Sequence, residues 1–135
     1  MPKRKQIKPE RPLIALTMGD AAGVGPEIIA GAWPETVIHE WCRPVVIGHP
    51  GILRRAVALW QTGVQVVEIE SVEEAQPAPG VIPCVRCCSN DVLDVRPGQI
   101  DARAGQAAFD AIVTAGKLAM SGRIDAITTA PLHKH

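Results

Sequence analysis

The sequence predicts an α/β fold with a mainly parallel sheet flanked by helices. Three observations support this: short apolar runs typical of buried strands, segments with helical spacing between them, and glycine- or proline-rich turns at the junctions. Strand and helix signals that alternate along a chain are characteristic of βαβ units, whose strands run parallel. The chain has 135 residues, the size of one domain, and we expect residues 12–135 to form it.

The first strand, turn and helix are predicted between residues 12 and 33. Residues 12–18 are almost continuously apolar, which is typical of a strand buried on both faces. The glycines in residues 19–25 predict a turn. Pro26 and Glu27 then favour a helix start. N–H groups in the first helical turn have no partner within the helix, so proline loses no hydrogen bond there, and a carboxylate complements the positive end of the helix dipole.

The middle of the chain predicts a second unit of the same kind. The elements follow in order: a strand at 44–48, a helix at 50–60, a strand at 65–69 and a loop at 76–80. Residues 81–85 predict a further short strand. Pro83 cannot donate a backbone hydrogen bond there, so we expect this strand to avoid a central position in the sheet.

The strongest helix prediction covers residues 101–121. Its apolar stripe has spacings of three and four, and consists of Ala104, Ala108, Ile112, Ala115 and Leu118. Gly122 is suited to end this helix in a left-handed conformation. Residues 124–129 predict the last strand.

Composition and charge exclude several functions. The chain has 14 basic and 14 acidic residues, so it lacks the basic excess of a nucleic-acid-binding protein. No apolar stretch is long enough to span a bilayer. Residues 1–11 are basic and polar, without the apolar centre of a signal peptide, and we expect a disordered tail. We therefore expect a cytoplasmic protein.

The cysteines offer a weak metal or redox signal. Cys84 and Cys87 have the two-residue spacing of such motifs, with Cys88 adjacent and Cys42 far away in the sequence. A structural zinc site needs a second pair of ligands at similar spacing, and none is present. We expect ordinary reduced thiols.

The glycine-rich turn is the first candidate site, and its residues are Gly19, Asp20, Gly23 and Gly25. Backbone N–H groups at the positive end of a helix can hold an anion or a closely approaching ligand. A dinucleotide fingerprint would place a third glycine where Ile28 stands, and no Gly-Lys-Ser/Thr follows as in a P-loop. The alternative is a tight turn whose glycines serve geometry alone. The residues leave both interpretations open.

The second candidate site follows the last predicted strand, and its residues are Thr129, Pro131, His133 and Lys134. Ligands of open α/β sheets gather at the carboxyl ends of the strands. The histidine could move protons near neutral pH, and the lysine could pair with a phosphate or carboxylate. A solvated chain end is the alternative. His39 and His49 are isolated in the sequence and are expected at the surface or at helix ends.

Three segments together resemble the 4-hydroxythreonine-4-phosphate dehydrogenase family. Residues 16–27, LTMGDAAGVGPE, resemble its opening signature T-x-G-D/E-P-A-G-I/V-G-P-E, with Ala21 where the family usually has proline. Residues 98–108 resemble its helix-opening segment, and residues 124–134 resemble its T-A/G-P-hydrophobic-x-K strand end. The matches occur in the expected order and cover nearly the whole chain after residue 11.

The resemblance implies an isocitrate- and isopropylmalate-dehydrogenase-like fold, present here in part. Such enzymes are homodimers that oxidise and decarboxylate 4-phosphohydroxy-L-threonine with NAD or NADP in pyridoxal 5′-phosphate biosynthesis. A divalent metal held by histidines lowers the pKa of the substrate hydroxyl and stabilises the developing carbanion. Related members oxidise cis-dihydrodiols of aromatic acids. The cleft would be bordered by residues 14–24 and 128–134.

The resemblance also implies what the 135 residues lack. In the family, a Gly-His-Thr element, three metal-binding histidines and the basic residues for the phosphate follow the segment matched by His133 and Lys134. None of the four histidines here matches a metal ligand. We therefore expect no metal site, no cofactor bound by this chain alone and no activity from it. A non-catalytic anion-binding domain, an interaction domain and a fragment of a cis-dihydrodiol dehydrogenase are the alternatives.

Overall fold

Parallel strand pairing organises the computed structural model, which describes residues 11–130. One sheet contains β1 (Leu13–Thr17), β2 (Arg43–Gly48), β3 (Gln65–Ile69), β4 (Val81–Arg86) and β5 (Ala126–Thr129). The helices are α1 (Gly25–Ala32), α2 (Thr36–Trp41), α3 (Pro50–Trp60) and α4 (Ala102–Met120). Short 3₁₀ turns occur at Val72–Glu74 and Asn90–Asp94. The predicted fold class is confirmed.

The strand order β3-β4-β2-β1-β5 contains a reversal beside β1. From β1 the chain moves through α1 and α2 to β2 on one side, whereas β5 is added on the other side after α4. All pairs are parallel, so the carboxyl ends of β1 and β5 lie together at one edge of the sheet. In open α/β sheets, such a reversal leaves a crevice outside the strand ends.

Apolar side chains cover both faces of the sheet. One cluster joins the sheet to α1 and α3, with Ile29, Leu53 and Val46 among its members. The other joins it to α4, through residues such as Ala111 and Ala115. The alternation of faces along β1 and β2 explains why both strands are almost continuously apolar in the sequence.

The position of β4 corrects the prediction made from Pro83. The strand lies between β3 and β2, inside the sheet. Its pairing with β2 begins at Cys84, opposite Val46, one residue after the proline. The ladder to β2 therefore starts beyond the residue that has no N–H to donate. Pro83 itself is buried opposite Val67 of β3.

The long helix α4 agrees with its prediction, and its ends are well defined. Asp101 caps its start by accepting a hydrogen bond from the Arg103 N–H at 2.8 Å. At its end, the Gly122 N–H donates to the Ala119 carbonyl and the Arg123 N–H to the Leu118 carbonyl. With φ at +77°, Gly122 completes a Schellman motif. The buried face also includes Ala107 and Ala111, whereas Ile112 is half-buried.

Arg11 and β5, at the two ends of the described chain, are exposed, unlike the core. Arg11, the last residue of the predicted tail, donates to the His39 carbonyl and accepts from the Arg43 side chain. Residues 1–10 of that tail lie outside the described residues. All residues of β5 are exposed, although β5 is paired with β1 along its length. Within residues 11–130, no helix is long and apolar enough to cross a membrane.

The cap of α4 predicts a pH-dependent contribution to stability. Hydrogen bonds from the Arg103 side chain and backbone lower the pKa of Asp101 from 3.8 to about 2. A carboxylate with a lowered pKa in the folded state stabilises the fold above its unfolded-state pKa, and the contribution is lost as pH falls through its folded-state pKa. The Asp101→Ala variant should therefore be less stable than the parent chain at neutral pH. This difference should shrink between pH 3.8 and about 2.

Urea unfolding followed by circular dichroism at several pH values measures this effect. The Asp101→Asn variant keeps a capping oxygen without the charge, so its stability should lie between the other two at neutral pH. A difference that stays constant down to the lowest pH would contradict the assignment.

Candidate functional site

The glycine-rich loop lies at the carboxyl edge of the sheet, between β1 and α1. Gly19 is buried, and its φ of +80° lies in the left-handed region that side chains avoid. Asp20 follows, half-buried. Its Oδ1 accepts from the Ala22 N–H at 2.8 Å, and its carbonyl oxygen accepts from the Gly23 N–H at 2.9 Å. Asp20 thus fixes the shape of the loop and uses two of its N–H groups.

The three predicted glycines of the turn differ in what requires them. A Cβ on Gly25 would lie 2.4 Å from the Met18 carbonyl oxygen and 3.1 Å from the Ala130 Cβ. A Cβ on Gly23 would make only ordinary contacts, the nearest at 3.5 Å from Asp20. Geometry therefore accounts for Gly19 and Gly25 without a ligand. It does not account for Gly23, which is partly exposed on the loop.

The second candidate segment lies beside the first. Thr129, the last residue of β5, is the register partner of Thr17. The Ala130 N–H donates to the Thr17 carbonyl at 3.1 Å, which brings Ala130 against Gly25. Pro131, His133 and Lys134 lie outside the described residues, so their place in a cleft stays a prediction.

A third segment reaches the same loop. The Gly98 N–H donates to the Ala22 carbonyl at 2.6 Å. The segments 16–27 and 98–108 and the described part of the third, residues 124–130, are therefore in contact at one edge of the sheet. The role of the predicted residues in binding a ligand stays a prediction, but the structure brings their segments together.

The start of α1 has no side-chain cap. Val24 occupies the capping position and supplies no side-chain hydrogen bond. Pro26 has no N–H, and Glu27 places a carboxylate in the first turn. The positive end of the helix can thus attract an anion, but Glu27 offsets part of that attraction.

An open apolar cavity of about 230 Å³ lies between α1 and the strands β1 and β5. Its walls include Leu16, Ile28, Trp33, Thr128 and Ala130. Leu16, Thr128 and Ala130 fall within the ranges that were expected to border the cleft, whereas Ile28 and Trp33 were not among the predicted site residues. Ile28 is half-exposed on α1, and Trp33 is buried behind it.

Two buried polar atoms beside this region have no hydrogen-bond partner within the described residues. They are Oγ1 of Thr17 and Nδ1 of His39. Thr17 is completely buried at the end of β1. Buried hydroxyl groups normally have a partner, so Thr17 is an exception, and it lies within the range 14–24 that was expected to border the cleft.

Both isolated histidines are buried, which corrects the surface part of their prediction. His49 is the N-terminal cap of α3: Nδ1 accepts from the Gly51 N–H at 3.0 Å, and Nε2 donates to Asn90 Oδ1 at 2.8 Å. His39 lies in the last turn of α2, where its Nε2 bonds the Trp33 carbonyl at 2.8 Å. These partners explain the burial and leave both rings with structural roles.

Comparison with known proteins now assigns the family. A family model described as pyridoxal phosphate biosynthetic protein PdxA matches residues 40–135, more than half of the chain. The chain belongs to the PdxA family. The resemblance seen in the sequence is therefore confirmed.

Individual members of the PdxA family and its structural neighbours agree with this assignment. A Halalkalibacterium halodurans protein with the name D-threonate 4-phosphate dehydrogenase is 35% identical over 125 residues. The crystal structure of a 4-hydroxythreonine-4-phosphate dehydrogenase from Burkholderia phymatum is 40% identical, with a TM-score of 0.86. A terephthalate 1,2-cis-dihydrodiol dehydrogenase from Burkholderia xenovorans is 25% identical, with a TM-score of 0.70.

This PdxA-family chain spans little more than a third of these proteins. Each alignment covers 93% of the chain, but 37% of the Halalkalibacterium protein, 38% of the Burkholderia phymatum chain and 35% of the dihydrodiol dehydrogenase. Over this shared part, the comparisons confirm the fold, a mainly parallel sheet flanked by helices.

The described residues do not form the metal site that the family resemblance implies. Within residues 11–130, no group of three or more His, Cys, Asp and Glu side chains could hold a metal ion. The close approach at Gly25 is to the protein's own Met18 and Ala130, not to a space shaped for a nucleotide.

The contacts of the loop glycines predict unequal effects of substitution. Gly25→Ala should destabilise the fold by about 1–3 kcal/mol, because its Cβ would overlap the Met18 carbonyl and crowd Ala130. Gly23→Ala is the matched control and should change stability little. Urea unfolding measures both. Alanine has a higher helix propensity than glycine. A Gly25→Ala variant as stable as the parent chain would therefore show that the contact with the Met18 carbonyl is not rigid.

Proposed function

We propose that this chain supplies one wall of the active-site cleft of a PdxA-type dehydrogenase, with the loop at residues 19–25 as its centre. The wall stands at the strand-order reversal beside β1, where open α/β sheets bind ligands. The cleft is completed by residues of the family fold beyond those described here.

One observation carries this proposal: the three segments that resemble the family meet at a single place. Gly25 packs against Ala130, and Ala22 accepts a hydrogen bond from Gly98. If each segment served only its own strand or helix, three segments this far apart in the sequence would not need to meet. A shared site at the sheet edge explains all three.

The substrate class we propose is a small phosphorylated hydroxy acid, oxidised at its hydroxyl carbon with NAD or NADP. The names of two relatives support this class, because one is a D-threonate 4-phosphate dehydrogenase and the other a 4-hydroxythreonine-4-phosphate dehydrogenase. A cis-dihydrodiol is the alternative substrate, because a dehydrogenase for one shares the fold. A divalent metal would be bound by side chains outside residues 11–130, since no cluster of metal-binding side chains lies within them.

We propose that Gly19, Asp20, Gly23 and Gly25 form the described part of this wall, with Thr129 beside them. Asp20 is a positioning residue here, because its hydrogen bonds hold the loop. Pro131, His133 and Lys134 would extend the wall. A histidine there could exchange protons with substrate, and a lysine could pair with its phosphate.

A chimeric enzyme tests the wall. Residues 1–130 of this chain replace the matching part of the Burkholderia phymatum enzyme, and NAD(P) reduction is followed with 4-phosphohydroxythreonine and a divalent metal. We expect turnover. Asp20→Ala in the chimera should lower kcat/KM at least about tenfold, because loop misplacement disturbs the reacting geometry.

Two controls accompany the chimera. Asp20→Asn keeps an oxygen that can accept from the Ala22 N–H, so it should retain more activity than Asp20→Ala if loop shape is the cause. Glu40→Ala, an exposed change on α2, should leave kcat/KM unchanged. Equal activity of the Asp20→Ala and Glu40→Ala chimeras, with both folded by circular dichroism, would refute the proposed wall.

The isolated chain of 135 residues should show no turnover. The reason is the lack of a metal-ligand cluster among residues 11–130, which leaves a substrate hydroxyl without activation. The assay is NADH or NADPH formation with added zinc, magnesium or manganese. Metal-dependent turnover by the chain alone would contradict the proposal that other residues complete the cleft.

A non-catalytic anion-binding domain is a second candidate, favoured by the uncapped start of α1. It predicts that inorganic phosphate shifts the backbone amide resonances of the loop in NMR titrations. Glu27→Gln should strengthen such binding by removing the opposing carboxylate. No shift up to millimolar phosphate in either protein would remove this candidate.

We also propose that the working protein is a cytoplasmic homodimer that binds neither nucleic acid nor membrane. The described cysteines are all unpaired, which favours a reducing compartment. The balanced charge opposes nucleic-acid binding. The exposed β5 and the open apolar cavity beside it offer surface for association.

A further inference from the structure

The helix α4 carries an exposed apolar stripe on the side that faces away from the sheet. Phe109 and Met120 are its largest members, and they are 60% and 91% exposed. Ile112 and Val113 lie between them and are half-buried. Helical periodicity places these four residues on one face, opposite to the alanines that pack against the sheet. A helix that covers one face of a sheet is normally polar on its outer side, so this stripe is unusual.

Two glycines complete this stripe. Gly105 and Gly116 lie on the same face of α4, and neither has a positive φ. A Cβ on either residue would meet no atom within 4 Å. Glycine is less favourable than alanine inside a helix, and no turn or close contact among the described residues requires it at these two positions. Each glycine leaves a gap in the surface that we call the outer stripe, which consists of Gly105, Phe109, Ile112, Val113, Gly116 and Met120.

The large side chains and the gaps are placed so that the outer stripe is complementary to itself. When a twofold axis relates two antiparallel helices, residues equally far from the axis on opposite sides face each other. Phe109 and Gly116 are equally far from the midpoint between residues 112 and 113. Gly105 and Met120 are also equally far from that midpoint. With the axis at this midpoint, each large side chain of one copy therefore faces a glycine of the other.

The charges beside the outer stripe are complementary in the same arrangement. Asp110 and Lys117 both lie along one border of the stripe, and the Gln106 side chain donates to the Asp110 carboxylate at 2.9 Å. The twofold axis keeps this border on the same side of both helices, so Asp110 of one copy lies near Lys117 of the other. Parallel helices in register would instead place each charge beside its own copy. The charges therefore favour the antiparallel pair.

We propose that the outer stripe is an interface between two copies of this chain, in which the two α4 helices pack antiparallel. The stripe lies across the sheet from the candidate cleft, because α4 covers one face and α1 the other. The interface gives the homodimer proposed above a surface, and it does not depend on dehydrogenase activity. Only one helix of each copy supplies it, so the interface is small and the dimer dissociates reversibly.

Sedimentation equilibrium of the 135-residue chain tests the interface. The parent chain should dimerise, and Gly116→Leu should raise the dimer dissociation constant at least about tenfold by filling the gap that faces Phe109. This variant should fold, because a Cβ at this position meets no atom within 4 Å. Leu59→Ala is the matched control: it shortens a side chain that is 70% exposed on α3, and it should leave the dissociation constant unchanged.

Two results of this experiment would overturn the interface. A chain that stays monomeric up to millimolar concentration would mean that two copies do not cover the outer stripe, which leaves further residues of the family fold as its cover. A dimer that Gly116→Leu does not weaken would form through another surface, such as the one at β5. That second result would refute the α4 interface and leave the proposed homodimer standing.

A charge exchange tests the antiparallel arrangement. At low salt, Asp110→Lys and Lys117→Asp should each raise the dissociation constant at least about threefold, because like charges then meet across the axis. The variant with both changes should recover most of the parent affinity. The two residues lie about two helical turns apart within one copy, so they are not neighbours there and recovery must come from pairs between copies. A double variant weaker than either single variant, with circular dichroism showing all of them folded, would refute the antiparallel pair.

Discussion

The parallel pairing of β1 with β5 joins two segments of the chain that are separated by 112 residues at their first contact. At one end, Asp125 Oδ2 accepts from the Leu13 N–H at 2.8 Å, while the Asp125 N–H donates to the Leu13 carbonyl. At the other end, the Ala130 N–H donates to the Thr17 carbonyl. This pairing decides which residues face the glycine-rich loop. Without it, the family segment that begins at residue 124 would have no fixed relation to the segment at residues 16–27.

The position of α1 depends on the same strand end. Because Gly25 has no side chain, α1 can begin next to the Met18 carbonyl. A Cβ at this position would lie only 2.4 Å from the carbonyl oxygen. Trp60 then closes over α1 from α3: its indole N–H donates to the Glu27 carbonyl at 2.9 Å, and its ring lies against Gly31. Helix, loop and strands therefore share a few close backbone contacts, so the shape of the loop is coupled to the packing beneath it.

Local chemistry explains why most elements were predictable. The run at residues 44–48 is apolar because β2 is buried on both faces, and Pro50 and Gly122 mark the helix boundaries through their backbone properties. The place of β4 was not predictable from Pro83. A missing N–H excludes a strand from the sheet centre only when the neighbouring ladder needs that N–H, and the ladder to β2 begins one residue later.

By itself, the sequence determined the fold class, the family and the segments that meet at the candidate cleft. These follow from periodicity, turn chemistry and motifs, which are properties of neighbouring residues. Only the tertiary structure decided the strand order, the burial of His39 and His49, the close approach at Gly25 and the burial of Cys84 next to the half-buried Cys87 and Cys88. Each of these depends on contacts between residues brought together by folding, and local spacing carries no information about such contacts.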